Sequence, residues 1–333
     1  MLTKKLAVGV LAVSAMFLSG CATTPATESS ADPAVEQTLA GKVIGIAVVG
    51  TQHFWDREAF EGAIAEVERL GGTVLTTDGG RDNTVHAANH DIFLTQKVDA
   101  VISILGDAAV EPKFEALEAA GIPVFGVDHD SEFVVNNSQS QNDVAGTEIG
   151  KILGEAIGGT GNVAVFNAFS ESLSFCGVRY NNWKDALTTD YPDVKIITPE
   201  LAEEFANSPE DARQQTLTLI QQYPKGSLAA IHVACWDQPA IGVVQALKES
   251  GRTEVMVTAI DAGPETLELM MEENSVFVGN IAQQPRKIAT KAVENAADYL
   301  SGKTVEKQSY VEVYPVAGPA EAKRIFDLLG YTK

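Results

Sequence analysis

The chain has 333 residues, 45% of them hydrophobic, and a formal net charge of −21. That is enough apolar material for a packed core in one to three domains. A surface this acidic is repelled by phosphate backbones, which sets nucleic-acid binding aside.

The first twenty residues carry Lys4 and Lys5, an apolar run from Leu6 to Phe17, and the beginning of "LSGC", which ends on Cys21. The run is too short for a stop-transfer helix and reads as an export signal over 1–20. "LSGC" resembles the bacterial lipobox, which implies a chain cleaved before Cys21 and acylated there. The expected location is the periplasm or the outer face of the cell membrane, with the lipid as anchor. Residues 21–40, rich in Ala, Thr, Ser and Pro, read as a flexible tether.

From Lys42 onward, short apolar runs alternate with helical patterns. "VIGIAVV" (43–49), "GTVLTT" (72–77), "VDAVISIL" (98–105) and "IPVFGVD" (122–128) are separated by helices near 55–70, 84–97 and 110–120. After a break at 130–142 the pattern restarts. A helix over 142–157 leads to "NVAVFNA" (162–168), "VKIIT" (194–198), "AAIHVAC" (229–235), "EVMVTAI" (254–260) and "VFVGNIA" (276–282). A helix over 285–301, "QSYVEVYPV" (308–316) and a helix over 319–329 close the chain. Continuous Val/Ile runs between helices mark parallel sheets covered on both faces. Two series of similar size predict two α/β lobes rather than one wide sheet or a barrel.

Several enzyme signatures are missing. No G-x-G-x-x-G follows a strand and no G-x-S-x-G elbow occurs. "SGKT" (301–304) lacks the glycine-rich loop of a phosphate site and reads as a helix end with a turn. "HAANH" puts His86 and His90 on one helical face without a third ligand, which predicts an exposed face rather than a metal site. The expectation is therefore a binding protein with no catalytic residues, metal or cofactor.

Open parallel sheets bind ligands beyond the carboxyl ends of their strands. Gln52, His53, Phe54 and Trp55 follow the first strand, and Asp128 and His129 the fourth. In the second series Trp236 and Asp237 follow "AAIHVAC", Asp261 ends "EVMVTAI" and Gln283 follows "VFVGNIA". Aromatic faces beside short polar acceptors suit a neutral, polyhydroxylated small molecule. Trp236 is expected as a wall of the cleft, and Asp237 as an acceptor or helix cap. With Cys21 taken by lipid, Cys176 and Cys235 remain. Both fall near the rim of the second lobe, either as a bridge or as two packed thiols.

In this order, "HFW", "IPVFGVD", "SQNDVAGTEIGKIL", "RYNNWKDAL", "CWDQPAIGVVQALKESG", "VMVTAID" and "IAQQP" resemble the periplasmic sugar-binding proteins of ABC importers, of the ribose-binding type, from Lys42 to about Val316. The resemblance implies two doubly wound parallel-sheet lobes joined by a three-strand hinge, 41–141 plus 284–310 and 142–283 plus 311–333. It implies one sugar or polyol held in the cleft by hinge closure, a monomer, and a membrane permease and ATPase as partners. By position, Phe54 and Trp55 correspond to stacking aromatics, Asp128 and Asp261 to hydroxyl-binding aspartates, Gln283 to the hinge glutamine and Phe205 to a second-lobe aromatic. Arg179 matches an arginine that usually has a structural role, and it is included among the candidate ligand residues. The chain departs from ribose binders at His129 and Gly177, where they have arginines, and at Trp236, where asparagine is common. These departures argue for another sugar or a polyol. A signal-binding receptor of the same fold is the alternative. A lactose-repressor-type regulator would need an N-terminal DNA-binding segment where this chain has "LSGC".

Overall fold

The computed structural model describes residues 38–332, so the export signal, Cys21 and all but the end of the tether lie outside the described residues. Two series of strands and helices occur. The first comprises β1 (Val43–Val48), α1 (Phe54–Arg69), β2 (Thr73–Asp78), α2 (Asn83–Gln96), β3 (Ala100–Ile104), α3 (Glu111–Ala119), β4 (Val124–Val127) and β5 (Val134–Ser140). The second comprises α4 (Asn142–Ala156), β6 (Thr160–Phe166), α5 (Ser174–Asp190), β7 (Asp193–Ile196), α6 (Ser208–Gln222), β8 (Ala230–Val233), α7 (Gln238–Glu249), β9 (Met256–Thr258), α8 (Pro264–Met271) and β10 (Phe277–Ala282). Then follow α9 (Pro285–Leu300), β11 (Gln308–Val311), β12 (Tyr314–Ala317) and α10 (Gly318–Leu328).

The strands form two six-stranded sheets, ordered β11-β5-β4-β3-β1-β2 and β12-β10-β9-β8-β6-β7. All neighbours are parallel except β10 and β12. The chain therefore has the expected fold, two doubly wound α/β lobes. Ile44, Ile46, Ile102, Ile104 and Val127 in one sheet and Val163, Val165, Ile231 and Val257 in the other have no exposed surface. Helices cover both faces of each sheet, which is why these strands read as unbroken apolar runs.

The chain passes between sheets three times, at Gln141, at Gln283–Gln284, and at Glu312–Val313. The apolar segment 308–316 makes the third crossing as two short strands, β11 in one sheet and β12 in the other. The break at 130–142 contains a full strand, β5, whose "VVNNSQS" hid it because polar residues fill a buried position. Asn136, Asn137, Ser138 and Ser140 are nearly inaccessible. Their partners come from the other crossings. Asn136 Nδ2 donates to the Glu306 carbonyl (2.8 Å), and Ser140 Oγ to Gln283 Oε1 (2.6 Å). Asn295 Nδ2 on α9 donates to Asn136 Oδ1 (2.9 Å). Paired this way, buried polar groups fix where the crossing strands sit at little net cost.

His86 and His90 correct the expectation of an exposed face. Both are buried between α2 and β3, with His90 Nε2 and the Ser103 hydroxyl 3.0 Å apart and His86 Nε2 3.2 Å from the Leu105 carbonyl. Burial pushes their pKa values down to about 4 and about 3, so they pack as neutral rings.

Helix α4 carries glycine where α5 must come close. A Cβ at Gly146 would collide with the Arg179 carbonyl, and one at Gly150 would lie 2.9 Å from the Trp183 carbonyl. Gly146→Ala gains up to about 1 kcal/mol of helix propensity against about 1–3 kcal/mol of overpacking on backbone that cannot swing aside. The expected net result is a lower midpoint of chemical denaturation, with the α5 segment around Arg179 displaced. An unchanged midpoint would show that the two helices can part without loss.

Candidate ligand-binding site

A cavity of about 230 Å³ lies between the lobes at the carboxyl ends of the strands. From the first lobe it is lined by Trp55 and Asp56 at the start of α1, by Arg81 after β2, by Gly106 and Asp107 after β3, and by Asp128 after β4. The second lobe contributes Phe169, Phe175 and Phe205, Trp236 after β8 and Asp261 after β9, and Gln283 enters from the second crossing. Four of the seven described non-glycine residues with left-handed backbone line this cavity: Arg81, Leu105, Asp128 and Asp261. Such backbone is strained for residues with a Cβ and gathers where function requires a side chain to be aimed.

The walls are aromatic. Phe205 stacks on Trp236 with ring centres 5.6 Å apart and planes 27° apart, and Phe169 meets both edge-on. Trp236 Nε1 donates to Glu203 Oε1 (3.3 Å). Trp236 is thereby held with its ring along the cavity wall. Trp55 faces the cavity from the other lobe. Behind the second-lobe wall, a disulfide joins Cys176 to Cys235, with Cα atoms 4.8 Å apart. It ties the first turn of α5 to the end of β8 and settles the alternative that the sequence left open.

The polar residues divide into two sets. Arg179 is buried, and its guanidinium is spent on protein. Nε donates to Asn142 Oδ1 (2.7 Å), Nη1 to the Cys235 carbonyl (2.7 Å), and Nη2 to Gln283 Oε1 (3.0 Å) and Asp128 Oδ2 (3.4 Å). Arg179 lines the cavity, but four of its five N–H groups are already given to protein oxygens. Asp237 is also spent. Its carboxylate accepts from the Gly263 amide (2.8 Å), the Thr266 hydroxyl (2.6 Å) and His53 Nε2 (3.2 Å). Asp237 thus holds the start of α8 and does not cap its own helix α7.

The second set has atoms to spare. Trp55 Nε1, Arg81 Nε and Asp128 Oδ1 are buried and have no partner in the protein. An unpaired buried polar atom costs about 1–3 kcal/mol. Three residues that line the cavity thus each keep one polar atom without a protein partner.

Besides Asp237, three expected residues do not line the cavity. The Phe54 ring packs against Gly263 and Tyr331 (centroids 6.0 Å apart), because α1 turns that side toward the protein. His129 lines a smaller neighbouring cavity, with its ring nitrogens 3.1 Å from the Gly106 carbonyl and 2.8 Å from Glu111 Oε1. Gln52 is exposed. Conversely, Asp56, Arg81, Asp107, Phe169 and Phe175 line the cavity although the sequence did not single them out. Arg81 in "GGRDN" and Asp107 in "LGD" stand at the ends of β2 and β3, where the same strand-end rule would have found them.

His53, Asp237 and Asp261 form the only group of three among the described residues with the ligand atoms of a metal site, all within 4.8 Å. His53 Nε2 is hydrogen-bonded to Asp237 Oδ1, and Asp261 Oδ1 accepts from Gln283 Nε2. Burial opposes charging His53, but the hydrogen bonds it donates to the Asp237 and Asp56 carboxylates carry its pKa up to about 10. Burial, reinforced by the charge of Asp237, pushes Asp261 up to about 8. Burial also raises Asp128 to about 6, with Arg179 pulling the other way. A proton therefore does here what a cation would do. Each of these groups holds its proton more tightly folded than unfolded, so stability falls as pH rises. The His53 contribution is complete below its ordinary pKa of 6.5 and is lost toward 10. The Asp261 contribution is lost between 3.8 and 8. Thermal midpoints should decline steadily from pH 6.5 to 9, and His53→Gln should flatten the upper part of that decline. A midpoint that rises over this range would contradict the assignment.

Residues 44–304 match the model of the periplasmic binding protein domain. The structure superposes on an ABC transporter solute binding protein from Agrobacterium vitis with bound allitol, with a TM-score of 0.83 and 38% identity, covering 87% of this chain and 99% of that one. The chain is 26% identical to a xylitol-binding protein from Mycolicibacterium smegmatis, over 73% of this chain and 67% of the relative. It is 23% identical to a ribose import binding protein from Bacillus subtilis, over 91% and 96% respectively. With its two doubly wound lobes and a cavity at their facing strand ends, the chain belongs to the periplasmic binding protein domain family.

Proposed function

We propose that this protein is the substrate-binding component of an ABC importer and takes a neutral acyclic polyol, or a sugar of similar size, by hinge closure. The observation that carries this reading is the set of three unpartnered buried atoms, Trp55 Nε1, Arg81 Nε and Asp128 Oδ1, on one aromatic-walled cavity between the lobes. Stacked rings accept the C–H faces of a carbon chain, and fixed acceptors take hydroxyl protons. Asp56, Asp107 and Asp128 line the same space, which disfavours an acidic ligand. The neighbour at 38% identity has allitol bound, and a relative at 26% is named for xylitol; both are linear polyols and fit this donor and acceptor pattern. Trp55, Asp128, Phe205, Trp236, Asp261 and Gln283 are the proposed ligand contacts. No step of bond making is needed for this role, so catalysis forms no part of it.

A thermal-shift panel of allitol, xylitol, D-allose and D-ribose tests the reading. A ligand at a hundred times its dissociation constant stabilises by about 2.7 kcal/mol, and the polyols should raise the midpoint most. Trp236→Ala and Asp261→Ala should each weaken binding of the tightest of these ligands by about 1–3 kcal/mol in calorimetry while still folding. Unchanged affinity in both variants would remove the site.

The proposal includes export and a lipid anchor at Cys21, with residues 21–40 as a tether that lets the binding lobes reach a permease. Its support is "LSGC" after the apolar run. Cys21→Ala should release the protein from the membrane fraction or leave it unprocessed. A mature N-terminus found elsewhere by mass spectrometry would overturn the anchor.

A further inference from the structure

Arg81 sits on a backbone that would suit glycine. Its φ is +66°, in the left-handed region, and it follows Gly80 at φ +63°. The conformation is imposed by its surroundings, since the Arg81 amide donates to the Val49 carbonyl (2.7 Å) and Asp82 caps helix α2. Room is also made for its stem. A Cβ on Gly50 would lie 2.7 Å from Arg81 Cγ. A long cation held in strained backbone, with a neighbouring glycine clearing its path, indicates that the side chain is what the position requires.

That side chain crosses the cleft. Nη2 donates to Asp56 Oδ2 (3.1 Å) within the first lobe. The guanidinium carbon lies 4.5 Å from the centre of the Phe205 ring and 5.2 Å from that of Trp236, both in the second lobe. Nε is buried on the cavity and has no protein partner. Because Asp56 already balances the charge, the free N–H suits the lone pair of a hydroxyl or ether oxygen rather than a carboxylate.

From this arrangement we propose that Arg81 is a ligand-contact residue that couples recognition to closure, donating from Nε to an oxygen of the bound polyol while its flat face clasps Phe205 and Trp236 across the cleft. The clasp exists only when the lobes are together, so a ligand that satisfies Nε stabilises the closed form, and losing the contact raises the dissociation rate. This inference rests on the proposed polyol function.

The test measures binding of allitol and xylitol to the wild-type protein, to Arg81→Gly and to Arg81→Lys, alongside thermal midpoints without ligand. Arg81→Gly suits the backbone. Arg81→Lys keeps a cation for Asp56 but has no Nε donor and no planar face. Both variants should bind at least tenfold more weakly, mainly through faster release, and Arg81→Lys should keep its unliganded midpoint within a few degrees of wild type. Wild-type affinity in Arg81→Lys would overturn the assignment and leave the polyol reading standing. Failure of the wild-type protein to bind either polyol would sink that reading, and the Arg81 assignment with it.

Discussion

The site depends on one buried cation. Arg179 is almost wholly enclosed, yet its donors reach Asn142 at the first crossing, Gln283 at the second, the end of β8 through the Cys235 carbonyl, and Asp128 in the opposite lobe. A buried charge with its partners removed costs about 3–5 kcal/mol, so this set of contacts is held together or lost together. Its position is prepared from several sides. Gly146 lets α5 approach α4, the Cys176–Cys235 disulfide ties the first turn of α5 to β8, and the Phe175 ring lies 4.9 Å under the guanidinium. Because Arg179 takes one oxygen of Asp128, the other is left to the cavity. Arg179 thereby decides which oxygen of Asp128 keeps a protein partner.

Charged groups from both lobes meet in buried surroundings. His53 of the first lobe meets Asp237 and Asp261 of the second, at 3.2 and 3.9 Å. Two buried carboxylates on one imidazole are acceptable only if protons are retained, which is why the pKa values of His53 and Asp261 rise. Arg179 and the His53 cluster thus bind the lobes by complementary means, a permanent cation in one case and a titrating one in the other. The aromatic wall of Phe169, Phe205 and Trp236 stands beside them and excludes solvent, which strengthens both.

Trp55, Asp128, Trp236, Asp261 and Gln283 were legible because each stands at the end of an apolar strand, and strand ends are where an open parallel sheet binds. Phe54 and His129 were misplaced by the same rule. A strand end locates a residue to within a turn, but the turn of helix and the neighbours decide which way its side chain points. Strand β5 escaped notice because the crossing must be buried and hydrogen-bonded at once, and asparagine and serine meet that need while breaking the apolar pattern.

The sequence by itself determined the two-lobe α/β fold, the strand ends at which the interlobe cavity lies, and the aromatic and acidic character of its lining. Those properties follow from local periodicity and from a rule of sheet topology, neither of which needs distances across the chain. Only the tertiary structure decided which polar groups are spent and which are free. Asp237 and Asp261 look alike in the sequence, but one is saturated by Gly263, Thr266 and His53 while the other faces the cavity. Arg179 and Arg81 are both cations near strand ends, yet one has every nitrogen engaged and the other keeps an unpaired Nε. Hydrogen bonding is short-ranged and directional, so a side chain's role is set by partners distant in the chain, as Gln283 is from Arg179 at a separation of 104 residues.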